Sequence, residues 1–161
     1  MDASVKTCQI REVYDGQEKQ VIARLVLEAL PAWFGNPEPR EDYIRSSAVQ
    51  PFFAAFDGEK PVGFLCLKET GRATVELCVM GVLQDWHRRG LGTRLFAAAR
   101  AWTAERDYAF MQVKTVQMGR YKEYDDTNRF YLSLGFQEFE VLPTLWDEWN
   151  PCQIYVMALR R

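Results

Sequence analysis

A basic turn with two glycines is the stretch of this sequence best suited to chemistry. It reads His87-Arg88-Arg89-Gly90-Leu91-Gly92-Thr93, between an apolar run at residues 75–82 and a segment with helical spacing at residues 91–106. The first turn of a helix has unpaired N–H groups and a partial positive charge, so it attracts anions. Glycines leave the backbone bare, and arginines add charge-assisted donors. We therefore predict a phosphate-binding turn; the alternative is a tight connection with two solvated arginines.

Together with the strand before it, this turn resembles motif A of the GNAT superfamily, the acyl-CoA-dependent N-acetyltransferases. The motif is an apolar strand followed by Arg/Gln-x-x-Gly-x-Gly/Ala, and His87 stands at the Arg/Gln position. The resemblance implies that acetyl-CoA binds as a co-substrate. It makes His87 a cofactor-side donor or spacer and not a catalytic base. The cofactor-binding residues that it implies here are Met80, Gly81, Val82, His87, Arg88, Arg89, Gly90, Leu91, Gly92 and Thr93.

The family's arrangement also predicts a gap beside the motif A strand. There the strand splays from the next one, and the pantetheine arm of the cofactor lies in between. Gly81 suits a β-bulge at this point; the alternative is a glycine tolerated in a buried strand. A backbone N–H near Met80 or Val82 would then polarise the thioester oxygen.

Residues 127–136 resemble motif B of the same family, a helix that ends in Phe-Tyr-x-x-x-Gly-Phe. The resemblance implies a catalytic role for Tyr131, which matches the tyrosine whose hydroxyl points at the sulfur of coenzyme A. The alternative is a tyrosine that only packs between helix and sheet. The family often has a pantetheine-binding asparagine where this chain has Tyr124. Thr127 and Asn128 lie about one turn later, and of these Asn128 is the candidate cofactor-binding residue.

Glu76 is the candidate general base, because it is a carboxylate inside an apolar strand. Burying such a group is costly unless it is paired or used. By the two-residue period of a strand it shares a face with Cys78 and Met80. A lysine-like amine with a pKa near 10.4 is neutral in only about one molecule in 10³ at pH 7, so a base is valuable. The resemblance aligns Glu76 with the base of some family members; the alternative is a glutamate kept for solubility.

The order of the predicted elements sets the fold class. Strands are predicted at residues 7–13, 49–56, 62–67, 75–82, 109–116, 137–142 and 153–159, and helices at residues 17–30, 40–47, 91–106 and up to Gly135. Short turns join strands two to four into an antiparallel meander, and a helix between the fourth and fifth implies a parallel pair. We predict an α/β (α+β) fold with a mixed, mostly antiparallel sheet of about six to seven strands. Its parallel, splayed pair lies at the cofactor site, and about four helices flank it.

Two loops rich in aromatic residues are candidates for acceptor recognition. Residues 31–39 contain Trp33 and Phe34, which line a ligand or cover the core. In residues 143–151 two tryptophans flank Asp147 and Glu148. That loop could hold an ammonium ion by charge and cation–π contact, or it is a surface loop pinned by its tryptophans.

Composition limits the classes of protein that fit. With 161 residues, 48% hydrophobic and 26% charged, we expect a single globular domain over residues 1–161. A net charge of −2 argues against nucleic acid as the main partner. Four cysteines without paired spacing argue against a metal site or a disulfide framework. No apolar run or leader pattern indicates a membrane, so we expect the cytoplasm.

The sequence therefore predicts an N-acetyltransferase that moves an acetyl group from acetyl-CoA to a primary amine by direct transfer in a ternary complex. The acceptor is a small molecule or a peptide, with a cationic amine among the candidates, and the protein is a monomer or a homodimer. Two alternatives stay open. One is a catalytically silent acyl-CoA-binding sensor or interaction protein, and the other is an unrelated nucleotide-binding protein.

Overall fold

A mixed β-sheet of seven strands forms the centre of the computed structural model, which describes residues 7–160. The strands are β1 Gln9–Glu12, β2 Phe52–Asp57, β3 Lys60–Gly71, β4 Thr74–Val82, β5 Phe110–Val116, β6 Gln137–Asp147 and β7 Asn150–Ala158. Their spatial order is β1-β2-β3-β4-β5-β7-β6. Only β4 and β5 run parallel among the neighbouring strands of the described chain. The predicted mixed sheet with one parallel pair is confirmed.

Five helices in the described part of the chain flank this sheet, one more than predicted. They are α1 Gly16–Glu28, α2 Pro31–Phe34, α3 Pro37–Ser47, α4 Leu91–Glu105 and α5 Lys122–Ser133. The stretch predicted as a loop at residues 31–39 contains α2 and the start of α3. The side chain of Asn36 accepts a hydrogen bond from the N–H of Glu38, and Pro37 occupies the first helical position. Proline is tolerated there, since its missing N–H has no partner in that turn.

The two faces of the sheet carry different helices and separate hydrophobic clusters. The front face is covered by α1 and α3, and its cluster includes Val26, Ile44, Phe64, Cys66 and Val79. The back face is covered by α4 and α5, and its cluster includes Leu65, Leu67, Leu77, Leu95 and Tyr131. Alternate residues of β3 enter opposite clusters, as the period of a strand requires.

A β-bulge interrupts β4 at Cys78. Val79 pairs with Cys66 and Leu77 pairs with Leu67, so Cys78 has no partner on β3. The predicted bulge at Gly81 is wrong, because Gly81 pairs regularly with Phe64. Its missing side chain makes room for α1 instead: a Cβ there would lie 3.0 Å from Val26 Cγ1.

The extra residue also changes which side chains of β4 share a face. Cys78 packs against the front cluster, whereas Met80 and Val82 pack against the back cluster. Glu76 alternates with Val75 and Leu77 of the back cluster and so lies on the front face with Cys78, as predicted. The expectation that Met80 shares this face is wrong, because one extra residue shifts the alternation.

The parallel pair separates after a short stretch. β4 and β5 pair from Thr74 with Phe110 to Leu77 with Val113, and no pairing follows. β5 continues along β7 as far as Val116 with Cys152. The later residues of β4 stay on β3, where Val82 pairs with Gly63. A gap therefore opens between β4 and β5 toward their carboxyl ends, which confirms the splayed pair.

The last two strands form a longer hairpin than predicted. β6 extends to Asp147 and β7 begins at Asn150, so most of the predicted loop at residues 143–151 is strand. Asp147 closes the turn, because its Oδ1 accepts from the N–H groups of Trp149 and Asn150 at 2.9 and 2.8 Å. Among the described residues no helix is long and apolar enough to span a membrane.

Candidate active site

The glycine turn leads directly into α4. A short 3₁₀ turn, Gln84–Trp86, precedes it, and Arg88 and Gly90 both have positive φ angles, of 61° and 86°. Gly90 is the residue before the first helical position, and a Cβ built on it would meet nothing within 4 Å. The backbone of Gly90 therefore faces open space. Its left-handed conformation is one that glycine adopts without strain.

Gly92 has a different reason to be glycine. A Cβ on Gly92 would lie 3.0 Å from Cζ of Phe130 in α5. The missing side chain allows α4 and α5 to pack closely, as small residues do at tight contacts. Of the two predicted phosphate-side glycines, only Gly90 therefore has open space at the position of its missing side chain.

The first turn of α4 presents unpaired amides. Arg94 is the first residue whose N–H bonds back, to the carbonyl of Gly90 at 3.1 Å. The N–H groups of Leu91, Gly92 and Thr93 have no backbone acceptor or capping side chain in the described chain. Together with the helix dipole they form an anion-binding surface.

Two arginines flank these amides. The side chain of Arg88 is 86% exposed and reaches Asp126 of α5 only at 4.0 Å. The guanidinium of Arg89 lies over the ring of Trp86, 5.4 Å from its centroid. Arg88 can therefore reach a phosphate beside the turn, and Arg89 adds positive charge next to it.

His87 binds the end of β4 instead of facing a ligand. Its Nε2 lies 2.5 Å from the carbonyl oxygen of Val82, and because a carbonyl only accepts, Nε2 carries the proton. The ring also contacts Trp33 edge-on, with 5.6 Å between ring centroids. This Nε2–H is not available to a phosphate, so the geometry gives no support to the expected donor role. Of the two expected roles, the geometry favours the spacer.

Tyr131 lies beside the gap with its hydroxyl protonated. The residue is 6% exposed and belongs to the back cluster. Burial raises its pKa, and the phenol of Tyr43 and the thiol of Cys78 raise it further. Cys78, whose thiol contributes to this pKa shift, is the bulge residue of β4. A protonated hydroxyl here can donate to a sulfur.

Asn128 is a core residue and does not face the cofactor. It is fully buried, and its Nδ2 donates to the carbonyls of Val116 and Tyr124 at 2.9 and 2.6 Å. Its Oδ1 accepts from the hydroxyl of Tyr155 at 2.5 Å. Both amide N–H groups are used inside the protein, which corrects the expected cofactor-binding role.

Trp33 connects α2 to the start of α5 and is not a free ligand wall. Its Nε1 donates to the carbonyl of Glu123 at 3.2 Å, and its own carbonyl accepts from the hydroxyl of Tyr124 at 2.8 Å. Phe34 packs edge-on against Tyr43 with 6.1 Å between ring centroids. The two aromatic residues of this segment therefore form internal contacts, the second of the two roles considered.

Glu76 is held by donors from the neighbouring strand. Its side chain is 11% exposed, and Lys114 Nζ lies 3.1 Å from its Oε1. Gln112 Nε2 donates to the same oxygen at 3.4 Å. Oε2 has no hydrogen-bond partner within the described chain. Glu76 thus combines an anchored oxygen with a second one that is open to a ligand.

Lys114 and Tyr43 lie at the candidate site and are not predicted from the sequence. Lys114 follows Val113, the last β5 residue paired with β4, so it lies where the gap opens. The alternation of Met111 and Val113 with Gln112 and Lys114 is the available signal, because it places a cation on the face opposite the two apolar residues. For Tyr43 the sequence carried no signal, since its place beside Cys78 depends on how α3 packs.

The acidic, tryptophan-rich segment forms the tip of the β6–β7 hairpin. Trp146 and Trp149 are 45% and 67% exposed. Asp147 bonds to its own turn, so Glu148 is the only one of the two predicted carboxylates left for an ammonium ion. The structure therefore weakens the predicted ammonium site.

The sequence and the structure both match known acetyltransferases. The family model for the acetyltransferase (GNAT) domain matches residues 48–138. A protein from Desulfovibrio desulfuricans described as a GNAT-family acetyltransferase aligns with a TM-score of 0.82 and 19% identity, over 96% of this chain and 100% of that one. An aminoglycoside 6′-N-acetyltransferase complexed with coenzyme A aligns with a TM-score of 0.74 and 18% identity, over 95% and 98% of the two chains.

A third structure has the same fold with the acetyl donor bound. A Salmonella typhimurium protein described as an acetyltransferase with its cofactor acetyl-CoA aligns with a TM-score of 0.71 and 15% identity, over 96% of this chain and 95% of that one. No curated protein sequence matches significantly. The family match covers more than half of the 161 residues and includes the strand, the glycine turn and the whole of the α5 motif. The chain belongs to the GNAT family of acetyltransferases.

Proposed function

We propose that this protein transfers the acetyl group of acetyl-CoA directly to a primary amine in a ternary complex. One observation carries the proposal: β4 and β5 stop pairing after Leu77 and Val113, and the resulting gap lies beside the unpaired amides of α4. A narrow gap next to an anion-binding helix end fits a long arm attached to a pyrophosphate.

The residues present fit acetyl-CoA at both of these places. The N–H groups of Leu91, Gly92 and Thr93, with Arg88, would hold the pyrophosphate over the open backbone of Gly90. The arm would lie along Met80, Gly81 and Val82, where β4 has no partner on the β5 side. Two of the similar structures contain coenzyme A or acetyl-CoA, which supports the same ligand here.

When bound, acetyl-CoA supplies a thioester whose sulfur is a good leaving group. Glu76 takes the proton of the attacking amine through its open Oε2. A lysine-like amine with a pKa near 10.4 needs about 4–5 kcal/mol to become neutral at pH 7, so this step benefits most from the protein. Tyr131 donates its hydroxyl proton or a hydrogen bond toward the departing sulfur. A backbone N–H near Met80 or Val82 stabilises the thioester oxygen, a contribution of about 10²–10³ in rate.

The test is to measure acetyl-CoA binding and coenzyme A release on the same protein with a panel of amines. We expect acetyl-CoA to bind and at least one amine to cause release of coenzyme A above the rate of hydrolysis. Binding without release for every amine would support the silent acyl-CoA sensor instead. Absence of acetyl-CoA binding, with tighter binding of ATP, would overturn the proposal in favour of a nucleotide-binding protein.

A further inference from the structure

The carboxylate of Glu76 lies between two lysines on the front face. Lys114 of β5 forms the ion pair with it at 3.1 Å. Lys68 of β3 is the residue directly opposite Glu76 in the β3–β4 ladder, so the two side chains share a face. Lys68 is also close enough to act on the thiol of Cys78. Two positive charges therefore flank the single negative charge of the predicted base.

The acidic side chains of the front helices that form ion pairs in the described chain do so with arginines and not with these two lysines. Glu41 of α3 pairs with Arg24 at 2.6 Å, and Asp42 pairs with Arg45 at 2.7 Å. Within the described chain, the immediate surroundings of Glu76 carry an excess of one positive charge. An acceptor that binds there gains from an anionic group of its own.

The ion pair also offers unused hydrogen-bonding groups side by side. Lys114 is 33% exposed, and its ammonium nitrogen, which carries three N–H groups, lies 3.1 Å from Oε1 of Glu76. Glu76 uses Oε1 for Lys114 and Gln112, and its Oε2 has no partner in the described residues. A cation and an anion about 3 Å apart can pair with a ligand that carries the opposite charges at a similar spacing.

We propose that the acceptor is a free α-amino acid, bound by its ammonium group to Glu76 and by its carboxylate to Lys114. The inference rests on the proposed function. In an α-amino acid, standard bond lengths and angles put the nitrogen about 2.5 Å from the carboxylate carbon. This matches the close spacing of the Lys114 and Glu76 charges. Lys68 adds positive charge beside the carboxylate.

This arrangement disfavours the other main classes of acceptor. A peptide amino terminus has no carboxylate on the carbon that bears the amine. A polyamine or an aminoglycoside brings several positive charges to a region that already has an excess of one. In both cases Lys114 would lose a hydrogen-bond partner and face a neutral or positive group.

The reaction is balanced with the groups already named. The amine nitrogen forms a bond to the acetyl carbon, and the carbon–sulfur bond breaks with its electron pair going to sulfur. The ammonium group gives one proton to Glu76 and so becomes the attacking amine. After the bond to carbon forms, the nitrogen loses a second proton, which replaces the one that Tyr131 donates to the departing sulfur. Lys114 keeps its proton throughout, so it determines specificity and does not take part in the chemistry. The product is an N-acetylated amino acid with an unchanged carboxylate.

The test compares matched acceptors: each standard α-amino acid, its α-amide and the amine left after removal of the carboxylate. For the side chain that works best, we expect kcat/KM for the acid to exceed that for the amide by about tenfold or more, the effect of one hydrogen bond between charged groups. Lys114→Met should bring the acid-to-amide ratio close to one. Lys114→Arg, which keeps the charge, should retain most of it.

Two further variants separate specificity from general effects of charge. Lys68→Met should reduce the acid-to-amide ratio by a smaller factor, because Lys68 forms no ion pair with Glu76. Lys60→Met removes an exposed lysine at the start of β3 and should leave the ratio unchanged. The KM for acetyl-CoA should stay constant in all four variants, since none of these lysines lies on the glycine turn.

The same acceptors are also titrated by calorimetry into protein saturated with coenzyme A. Because no acetyl group is present, this titration measures acceptor binding without turnover. Acid-selective binding that is lost in Lys114→Met supports the inference even when no coenzyme A is released. Turnover without preference for the acid overturns the inference and leaves the proposed function intact. Preference for the acid that survives in Lys114→Met, or no binding of any acid, also overturns it.

Discussion

The two sides of the gap between β4 and β5 are built in different ways. On the cofactor side the groups that would hold acetyl-CoA are mostly backbone amides, within the contiguous stretch of residues 80–93. On the proposed acceptor side the groups that would hold the amine are side chains from three strands: Lys68, Glu76, Gln112 and Lys114. A backbone site requires only glycine and a helix end, whereas a side-chain site depends on strand register. The backbone site therefore needs few particular residues, whereas the side-chain site needs several particular residues at fixed positions.

The largest effect should come from Glu76→Gln, which tests the acceptor side. Gln keeps the shape but cannot accept the amine proton, so kcat should fall by about 10²–10³. Acetyl-CoA affinity should not change, because Glu76 does not touch the glycine turn. Steady-state kinetics and an acetyl-CoA titration measure the two quantities. Glu138→Gln, on the exposed part of β6, is the matched control. Unchanged turnover in Glu76→Gln would remove this residue from the mechanism.

Asn128→Ala should affect stability and neither side of the gap. It leaves the hydroxyl of Tyr155 and the carbonyl of Val116 without their partner inside the core. We expect a loss of about 2–4 kcal/mol in the free energy of unfolding, measured in urea. Thr127→Ala, beside it on α5, should cost far less. A rise in the acetyl-CoA dissociation constant of the folded variant would show that Asn128 contributes to cofactor binding after all.

Gly90→Ala tests the cofactor side alone. A side chain at φ 86° is strained by about 1–2 kcal/mol, and its Cβ occupies the space left for a phosphate. We expect the dissociation constant for acetyl-CoA to rise by about tenfold, an estimate based on the loss of one or two amide contacts. Gly58→Ala is the control, since Gly58 has φ 61° and equally open surroundings in the β2–β3 turn. If both variants bind acetyl-CoA equally well, the phosphate site lies elsewhere.

The smallest effect should come from Tyr131→Phe, which tests the proposed donor to the sulfur of coenzyme A. Burial raises the pKa of Tyr131, so at neutral pH the variant loses a protonated hydroxyl and no charge. A thiolate with a pKa near 8.5 leaves with little help, so we expect kcat to fall by only about fivefold. Tyr121→Phe, at an exposed tyrosine, should have no effect. An oxygen ester analogue of acetyl-CoA has a poorer leaving group. A larger loss of kcat in Tyr131→Phe with this analogue than with acetyl-CoA would support Tyr131 as the donor to the leaving group.

The sequence predicts features that depend on neighbouring residues better than features that depend on contacts between distant strands and helices. A helix between two strands in the sequence predicts the parallel pair of β4 and β5. The basic turn before that helix predicts the exposed backbone at Gly90. The bulge was assigned to Gly81 and lies at Cys78, because its position depends on the register with β3. Asn128 was assigned to the cofactor, and only the folded core shows that Tyr155 and Val116 satisfy it.

The extra residue in β4 has a consequence for how such a cleft can arise. Glu76 and Val79 lie on the front face and Leu77 and Met80 on the back, so removing Cys78 would restore a regular alternation without moving any other side chain to the opposite face. A bulged strand bends and twists more than a regular one. We therefore expect that a single-codon insertion can turn a closed sheet into one that admits a substrate, while the rest of the core is inherited unchanged.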